Sequence, residues 1–335
     1  MLCGSVCLSH SPLMHHNRAP ADVEAQWNDA VDSARQFIAD VGADHCIIFF
    51  PDHVNGFFYN LMPPFCIGAA GESLGDFGTA PGPIDIPEDL AADCHSYCLA
   101  QGIDVAISYN MTIDHGGTQP FELLAGDGGL KALLPIFINC IAPPLPSFAR
   151  AHVLGRAIGE WAKQRPERIV TVGSGGLSHD PPLPSLKTAV GATAERLRKG
   201  GSLSYSDRIA RQHRVLSAGK AFGSHRSAVK PLNPDWDRAT LRSLVSGKLD
   251  FLNDSSTQEI TDVAGSGAHE LRTWIASLAA LDAVGGFDAR MTFYEPVEEW
   301  ITGMGLLIAQ PKTPEFAAPP SGADTTGEAR RAPAS

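Results

Sequence analysis

The chain has 335 residues, 44% of them hydrophobic, a formal charge of −11 at pH 7 and seven cysteines. That length and apolar content suit one large domain or two ordinary ones with a sizeable core. The acidic balance excludes a non-specific nucleic-acid binder, which needs clustered Lys and Arg, and no apolar run is long enough to span a bilayer.

In chain order, "MLCGSVCLSHSPLMHH" has no basic region leading into a long apolar run, so no signal peptide is expected. Within it, "SVCLSH" reads as a first strand. Ala21 to Asp40 has helical periodicity after a proline, and "HCIIFFPDH" is the next strand. "IPEDLAADCHSYCLAQG" has helix start and stop signals and precedes the strand "DVAISY". The strands "ALLPIFINCI" and "RIVTVGSG" flank the helix "SFARAHVLGRAIGEWAKQ". This alternation predicts an α/β fold with a largely parallel central sheet flanked by helices.

After Pro184 the pattern changes. Residues 186–282 read as almost wholly helical, a helical elaboration of the C-terminal half. "ARMTFYEP" and "GMGLLIAQ" read as late strands returning to the sheet. No linker divides the chain, so residues 1–310 are expected to form one domain. Residues 311–335, rich in Pro, Ala, Gly, Ser and Thr, form an expected disordered tail. The cysteines are odd in number and scattered, with Cys46 and Cys140 inside apolar runs. This favours reduced thiols and a cytoplasmic location. Cys94 and Cys98 lack a second pair and make a weak zinc motif.

Four of the twelve histidines sit just past the carboxyl ends of predicted strands: His10, His53, His115 and His179. Ligand sites of open α/β sheets form along that edge. Each lies in a stiff, Gly- or Pro-containing loop: "SHSP", "PDHVNG", "DHGG" and "GGLSHDPP". Singly, each is most simply a hydrogen-bonded loop residue, whereas together they point to a shared site. His15, His16, His45, His95, His152, His213 and His225 lie in helices, in polar stretches or at the opposite edge, and carry no assignment.

Two imidazoles with one carboxylate suit non-haem Fe(II). The candidate carboxylate is Glu270, after a Gly-Ser-Gly loop at the start of an apolar-periodic helix, with His269 as a rival ligand. Three N/O donors and an open position equally describe a catalytic zinc site, so a zinc-dependent hydrolase stays open, as does a non-enzymatic binding protein on the same scaffold.

"CLSHSPL", "FFPDHVNGFFYNLMPPFCIG", "DHGGTQPFELL" and "GSGGLSHDPP" resemble the class III extradiol catechol dioxygenases. The resemblance runs from the first strand to about residue 310 and includes "LNPDWD" and "PVEEWITGMG". It implies Fe(II) held by His10, His53 and Glu270. It also implies His115 as proton donor and His179 as proton acceptor, a catechol substrate with O₂ as co-substrate, and a homo-oligomer, a tetramer. Asp114 and Asp180 adjoin the acid–base histidines, as tuning groups or as plain loop residues. The implied substrate side chain is a propionate, whose carboxylate calls for an Arg or Lys that the sequence does not single out. Phe57, Phe58, Tyr59 and Phe65 either wall the pocket or belong to the core.

Overall fold

The computed structural model describes residues 1–126, 129–223 and 230–312; His225 and the expected tail from residue 313 onward lie outside them. The elements are β1 (Leu2–Leu8), α1 (Ala21–Asp40), β2 (His45–Phe50), β3 (Phe65–Gly68), β4 (Gly71–Ser73), β5 (Gly82–Pro83), α2 (Glu88–Ala100), β6 (Ala106–Ser108), β7 (Met111–Ile113) and α3 (His115–Ala125). They continue with β8 (Ala132–Ile138), α4 (Phe148–Lys163), β9 (Ile169–Ser174), α5 (Gly191–Lys199), α6 (Tyr205–Gly223), α7 (Pro234–Val245), α8 (Thr257–Ala264), α9 (Leu271–Asp282), β10 (Phe287–Val297) and β11 (Thr302–Pro311).

Eight strands form the main sheet in the order β10-β11-β1-β9-β2-β8-β3-β6. The central run β1-β9-β2-β8 is parallel, as the βαβ alternation requires. The edges are mixed: β11 runs antiparallel to β1, and β3 antiparallel to β8. Both faces of the centre are covered, so side chains of β2 alternate between two cores: Ile47 and Phe49 on one side, Cys46, Ile48 and Phe50 on the other. All seven cysteines are buried and free. Among the described residues no helix is long and apolar enough to cross a membrane.

One expectation needs correction. "DVAISY" stops as a main-sheet strand at Ser108, because the chain bends at exposed Tyr109 and leaves the sheet. β7 then pairs with β4 in a small three-stranded sheet, so His115 follows β7 and not a main-sheet strand. The aromatic run, open between pocket wall and core, packs in or against the core clusters. Phe65 is core in β3, Phe57 stacks on Phe137 at 3.9 Å between ring centroids, and Phe58 packs with Val54 and Leu197, Tyr59 beside them.

Helix α9 is buried from Leu271 to Leu281 and lies across β9 and β1, with α4 outside it. The close approach depends on Gly155 and Gly159, one turn apart on α4. A Cβ there would lie 2.1 Å from the Ala276 carbonyl oxygen and 2.0 Å from that of Ala280. Backbone cannot swing aside as a side chain does. Gly159→Val is therefore expected to destabilise the protein by about 3 kcal/mol, at the upper end of overpacking costs, read as a lower denaturant midpoint. An unchanged midpoint would show that the two helices can separate freely.

Candidate active site

Three adjacent strands, β1, β9 and β2, deliver the first histidines to one sheet edge. Beyond β1, the Ser9 hydroxyl donates to the Gly303 carbonyl and accepts from the Gly305 N–H, which fixes the chain as it turns to His10. His10 Nδ1 lies 2.9 Å from Ser174 Oγ at the end of β9. That hydroxyl gives its single proton to the Gly116 carbonyl, so it accepts from His10. His10 therefore carries its proton on Nδ1 and presents the Nε2 lone pair to the pocket. Burial pushes its pKa down to about 3, which keeps it neutral.

His53 follows β2. Asp114 accepts from its backbone N–H at 2.8 Å and lies 3.2 Å from its Nδ1. The next residue, Val54, has φ +60°, a strained conformation for a β-branched residue that costs about 1–3 kcal/mol. Two arginines hold this turn: Arg211 donates to the His53 carbonyl at 2.6 Å and Arg196 to that of Val54 at 2.9 Å. Burial disfavours charge on His53, but Asp114 and Glu270 outweigh it and raise its pKa to about 10.

His115 opens α3. Asp114 caps that helix through the Gly116 N–H, so the aspartate adjoining His115 in sequence serves His53 instead. The partner of His115 is Asp76, which accepts from its backbone N–H at 2.8 Å and lies 2.7 Å from its Nδ1. The His115 ring stacks on His53 with centroids 4.3 Å apart. His179 follows the glycine-rich loop after β9. Its Nδ1 donates to the Leu177 carbonyl at 2.9 Å, which leaves Nε2 as an acceptor facing the pocket. Asp180 ties to Ser266 and not to His179.

Glu270 ends a short 3₁₀ turn, Ser266–Glu270, directly before α9. Its Oε2 accepts the Gly176 N–H at 2.7 Å. Its Oε1 is buried without a hydrogen bond, although His53 Nε2 and His179 Nε2 each stand 3.5 Å away. Burial disfavours the carboxylate, yet these imidazoles and His10 hold its pKa well below the usual range, and Glu270 in turn raises that of His179. His269 points elsewhere: its Nε2 meets Thr261 Oγ1 at 2.9 Å, so it is not brought into the cluster.

The four histidines thus line one pocket, and buried Glu270 adjoins it at His53 and His179. Donor atoms of His10, His53 and His115 lie within 4.8 Å of one another, and Glu270 reaches the same centre through His53. Nδ1 of each histidine is occupied and Nε2 is left for the centre, the arrangement that orients imidazoles around a metal. The orphaned Glu270 oxygen has the chemistry of a missing cation partner, so the cluster fits a metal ion. A second grouping, Asp76, Asp114 and His115, is spent on hydrogen bonds and braces the site.

Sequence reading missed Asp76, Ser174, Asp237 and Arg211. Asp237 on α7 accepts from the Ser178 N–H, the Ser178 hydroxyl and the Tyr294 hydroxyl at 2.7–2.8 Å, bracing the His179 loop. None shows a periodic or spacing signal. The pocket walls are Leu13, Phe77, Val215, Trp300 and Ile301, none of them among the expected aromatics.

Glycines shape the cage. A Cβ on Gly267 would fall 2.1 Å from His179 Nε2, and one on Gly176 2.7 Å from the same ring. Gly267→Ala is therefore expected to displace the His179 ring and lower kcat by about 10²-fold, the cost of misplacing a reacting group by about 1 Å, with metal content retained. An unaffected kcat would mean that His179 need not occupy this position.

The family model described as the catalytic LigB subunit of aromatic ring-opening dioxygenase matches residues 4–305. A 2,3-dihydroxyphenylpropionate/2,3-dihydroxicinnamic acid 1,2-dioxygenase from Rhodococcus sp is 45% identical over 302 residues, covering 90% of this chain and 96% of that one. Its namesake from Paraburkholderia xenovorans (strain LB400) is 44% identical over 305 residues, covering 91% and 96%.

Proposed function

Since the chain belongs to the LigB family of aromatic ring-opening dioxygenases and is an extradiol dioxygenase, we propose that it cleaves 3-(2,3-dihydroxyphenyl)propionate, and also 2,3-dihydroxycinnamate, with O₂. The product is a ring-opened 2-hydroxy-6-oxo-dienedioate. In this reading His10, His53 and Glu270 hold Fe(II), His179 accepts a proton and His115 donates one. The observation that carries the ligand set is the buried Glu270 oxygen without a hydrogen bond, 3.5 Å from His53 Nε2. His10 and His53 supply two neutral nitrogens and Glu270 one anionic oxygen, the two-His-one-carboxylate set of non-haem Fe(II) sites. The extra proton that Asp114 and Glu270 favour on His53 would leave Nε2 as a divalent cation takes its place, with Nδ1–H kept toward Asp114.

Fe(II) bound there would bring catechol and O₂ together and let electron density pass from the electron-rich ring to oxygen. The protein supplies the protons and their timing. His179, fixed as the Nδ1–H tautomer by the Leu177 carbonyl, offers Nε2 to a catechol hydroxyl proton. His115 is oriented by the Asp76 carboxylate at Nδ1, which leaves Nε2 toward the pocket, and donates from Nε2 as the ring opens. Leu13, Phe77, Val215, Trp300 and Ile301 limit the water around these transfers. A tetrameric assembly and a cytoplasmic location belong to the same reading, and light scattering on the purified protein checks the former.

The deciding experiment is anaerobic loading with Fe(II), then addition of 3-(2,3-dihydroxyphenyl)propionate in aerated buffer, with Zn(II)-loaded protein as control. Oxygen uptake with a yellow ring-opened product, in the iron sample alone, is expected. Turnover in the zinc sample, or iron-loaded protein that consumes no oxygen with any 3-substituted catechol, would overturn the reading.

A further inference from the structure

We propose that Arg211 receives the carboxylate of the substrate's side chain and so selects an anionic catechol, an assignment that rests on the substrate reading above. The space between the imidazoles is about 50 Å³. It continues past Pro182, Leu183 and Val215 into a cavity of about 840 Å³, and Arg211 lines both. A catechol held at the histidines directs its ring substituent along that continuation, and Arg211 stands at the junction.

The guanidinium is placed to accept an anion. Its Nη2 donates to the His53 carbonyl at 2.6 Å and its Nη1 to Asn55 Oδ1 at 2.7 Å, both uncharged acceptors. Among the described residues no other hydrogen bond engages the fork, which carries five N–H donors. Among the described residues no carboxylate comes within ion-pair distance of it. Asp52, Asp76 and Asp114 act on it only from longer range. Their oxygens are taken by the Asn55, Gly56 and Phe57 amides, by His115, and by His53 with Gly116. A half-buried cation with no carboxylate in direct contact is incompletely compensated, and a carboxylate ligand relieves that cost through charge-assisted, two-pronged hydrogen bonds.

The other cations of the wider cavity are less suited. Arg196 is committed to the Val54 and Gly201 carbonyls and to the Phe58 ring, and Lys199 pairs with Glu195 at 2.6 Å. Arg214, one turn further along α6, lines the wider cavity but not the pocket at the histidines.

The test compares kcat/KM for 3-(2,3-dihydroxyphenyl)propionate and for 3-propylcatechol, its uncharged counterpart, in the Fe(II) enzyme and in Arg211→Met and Arg211→Lys. The native enzyme is expected to favour the anion by at least about 30-fold, Arg211→Met to bring the ratio within about 3-fold of unity, and Arg211→Lys to restore part of it. Because Arg211 also fastens the His53 turn, both substrates can lose rate in the variants; the ratio reads the carboxylate alone. An unchanged ratio in Arg211→Met would overturn the proposal and leave Arg211 as a support for His53. A second measurement needs no variant and no turnover. Calorimetric binding of 3-phenylpropionate to the native protein is expected to be at least about tenfold tighter than that of 3-phenylpropanol, and to weaken with salt. Equal affinities would overturn the proposal. Failure of the native enzyme to cleave either catechol, with the anion still preferred in binding, would instead overturn the dioxygenase substrate reading.

Discussion

Glu270→Gln is expected to strip the protein of iron and of ring-opening activity together. The carboxylate is fully buried, and its Oε1 faces His53 and His179 without a hydrogen bond. An amide keeps the shape and removes the charge. Loss of a ligating charge should exceed the effect of disturbing a residue behind a ligand, which is about 10–100-fold in metal affinity. Iron affinity is therefore expected to fall by more than about 100-fold, measured as iron retained after dialysis against a buffered Fe(II) pool. Oε2 of Glu270 also accepts the Gly176 N–H, and the glutamine carbonyl can keep that bond, so the fold should survive. His115→Gln discriminates the competing ligand set. The His115 donor atom lies within 4.8 Å of those of His10 and His53, and by distance alone it could complete a three-histidine site. Retained iron in His115→Gln and lost iron in Glu270→Gln support the carboxylate set. The reverse pattern would replace Glu270 by His115 as the third ligand.

The second large effect tests the two proposed proton carriers. Removing a general acid or base typically costs about 10²–10⁴-fold in rate. His179→Gln and His115→Gln are both expected to fall in that range while keeping iron. Their pH profiles should differ in sign. A base works only when unprotonated, so His179 produces the loss of kcat/KM as pH falls. An acid works only when protonated, so His115 produces the loss as pH rises. His179→Gln should therefore flatten the acidic limb and His115→Gln the alkaline limb. The surroundings at Nδ1 differ, with a neutral carbonyl behind His179 and the Asp76 carboxylate behind His115, while Glu270, 3.5 Å from His179 Nε2, raises the pKa of His179 until a cation takes up its charge. If His179→Gln instead removed the alkaline limb, the two roles would be exchanged.

Much of this protein is local in origin. The helix Ala21–Asp40, the strands at residues 45–50, 132–138 and 169–174, and the helical stretch between residues 186 and 282 follow from apolar periodicity and from proline and glycine punctuation. The α/β class follows from their alternation. His10, His53 and His179 could be placed at one sheet edge because each lies in the loop after a strand whose direction the parallel sheet sets. His115 lines the same pocket, although the strand before it belongs to the smaller sheet.

What tertiary structure decided lies in pairings between distant residues. Ser174 fixes the tautomer of His10 across 164 positions, Asp76 backs His115 across 39, and Asp114 turns from its neighbour His115 to His53. A hydrogen bond depends on where two atoms finally meet, and no period or spacing along the chain records that meeting. The same holds for Arg211. In sequence it is one of several basic residues on a polar helix, and only the packing of α6 against the turn after β2 puts it beside the pocket. The aromatic run at Phe57–Tyr59 shows the converse. Its composition is legible, but only tertiary packing buries Phe58 and sets half-buried Phe57 and Tyr59 against Phe137 and the Leu197 cluster, because the side of a turn that faces the interior is set by the elements packed on it.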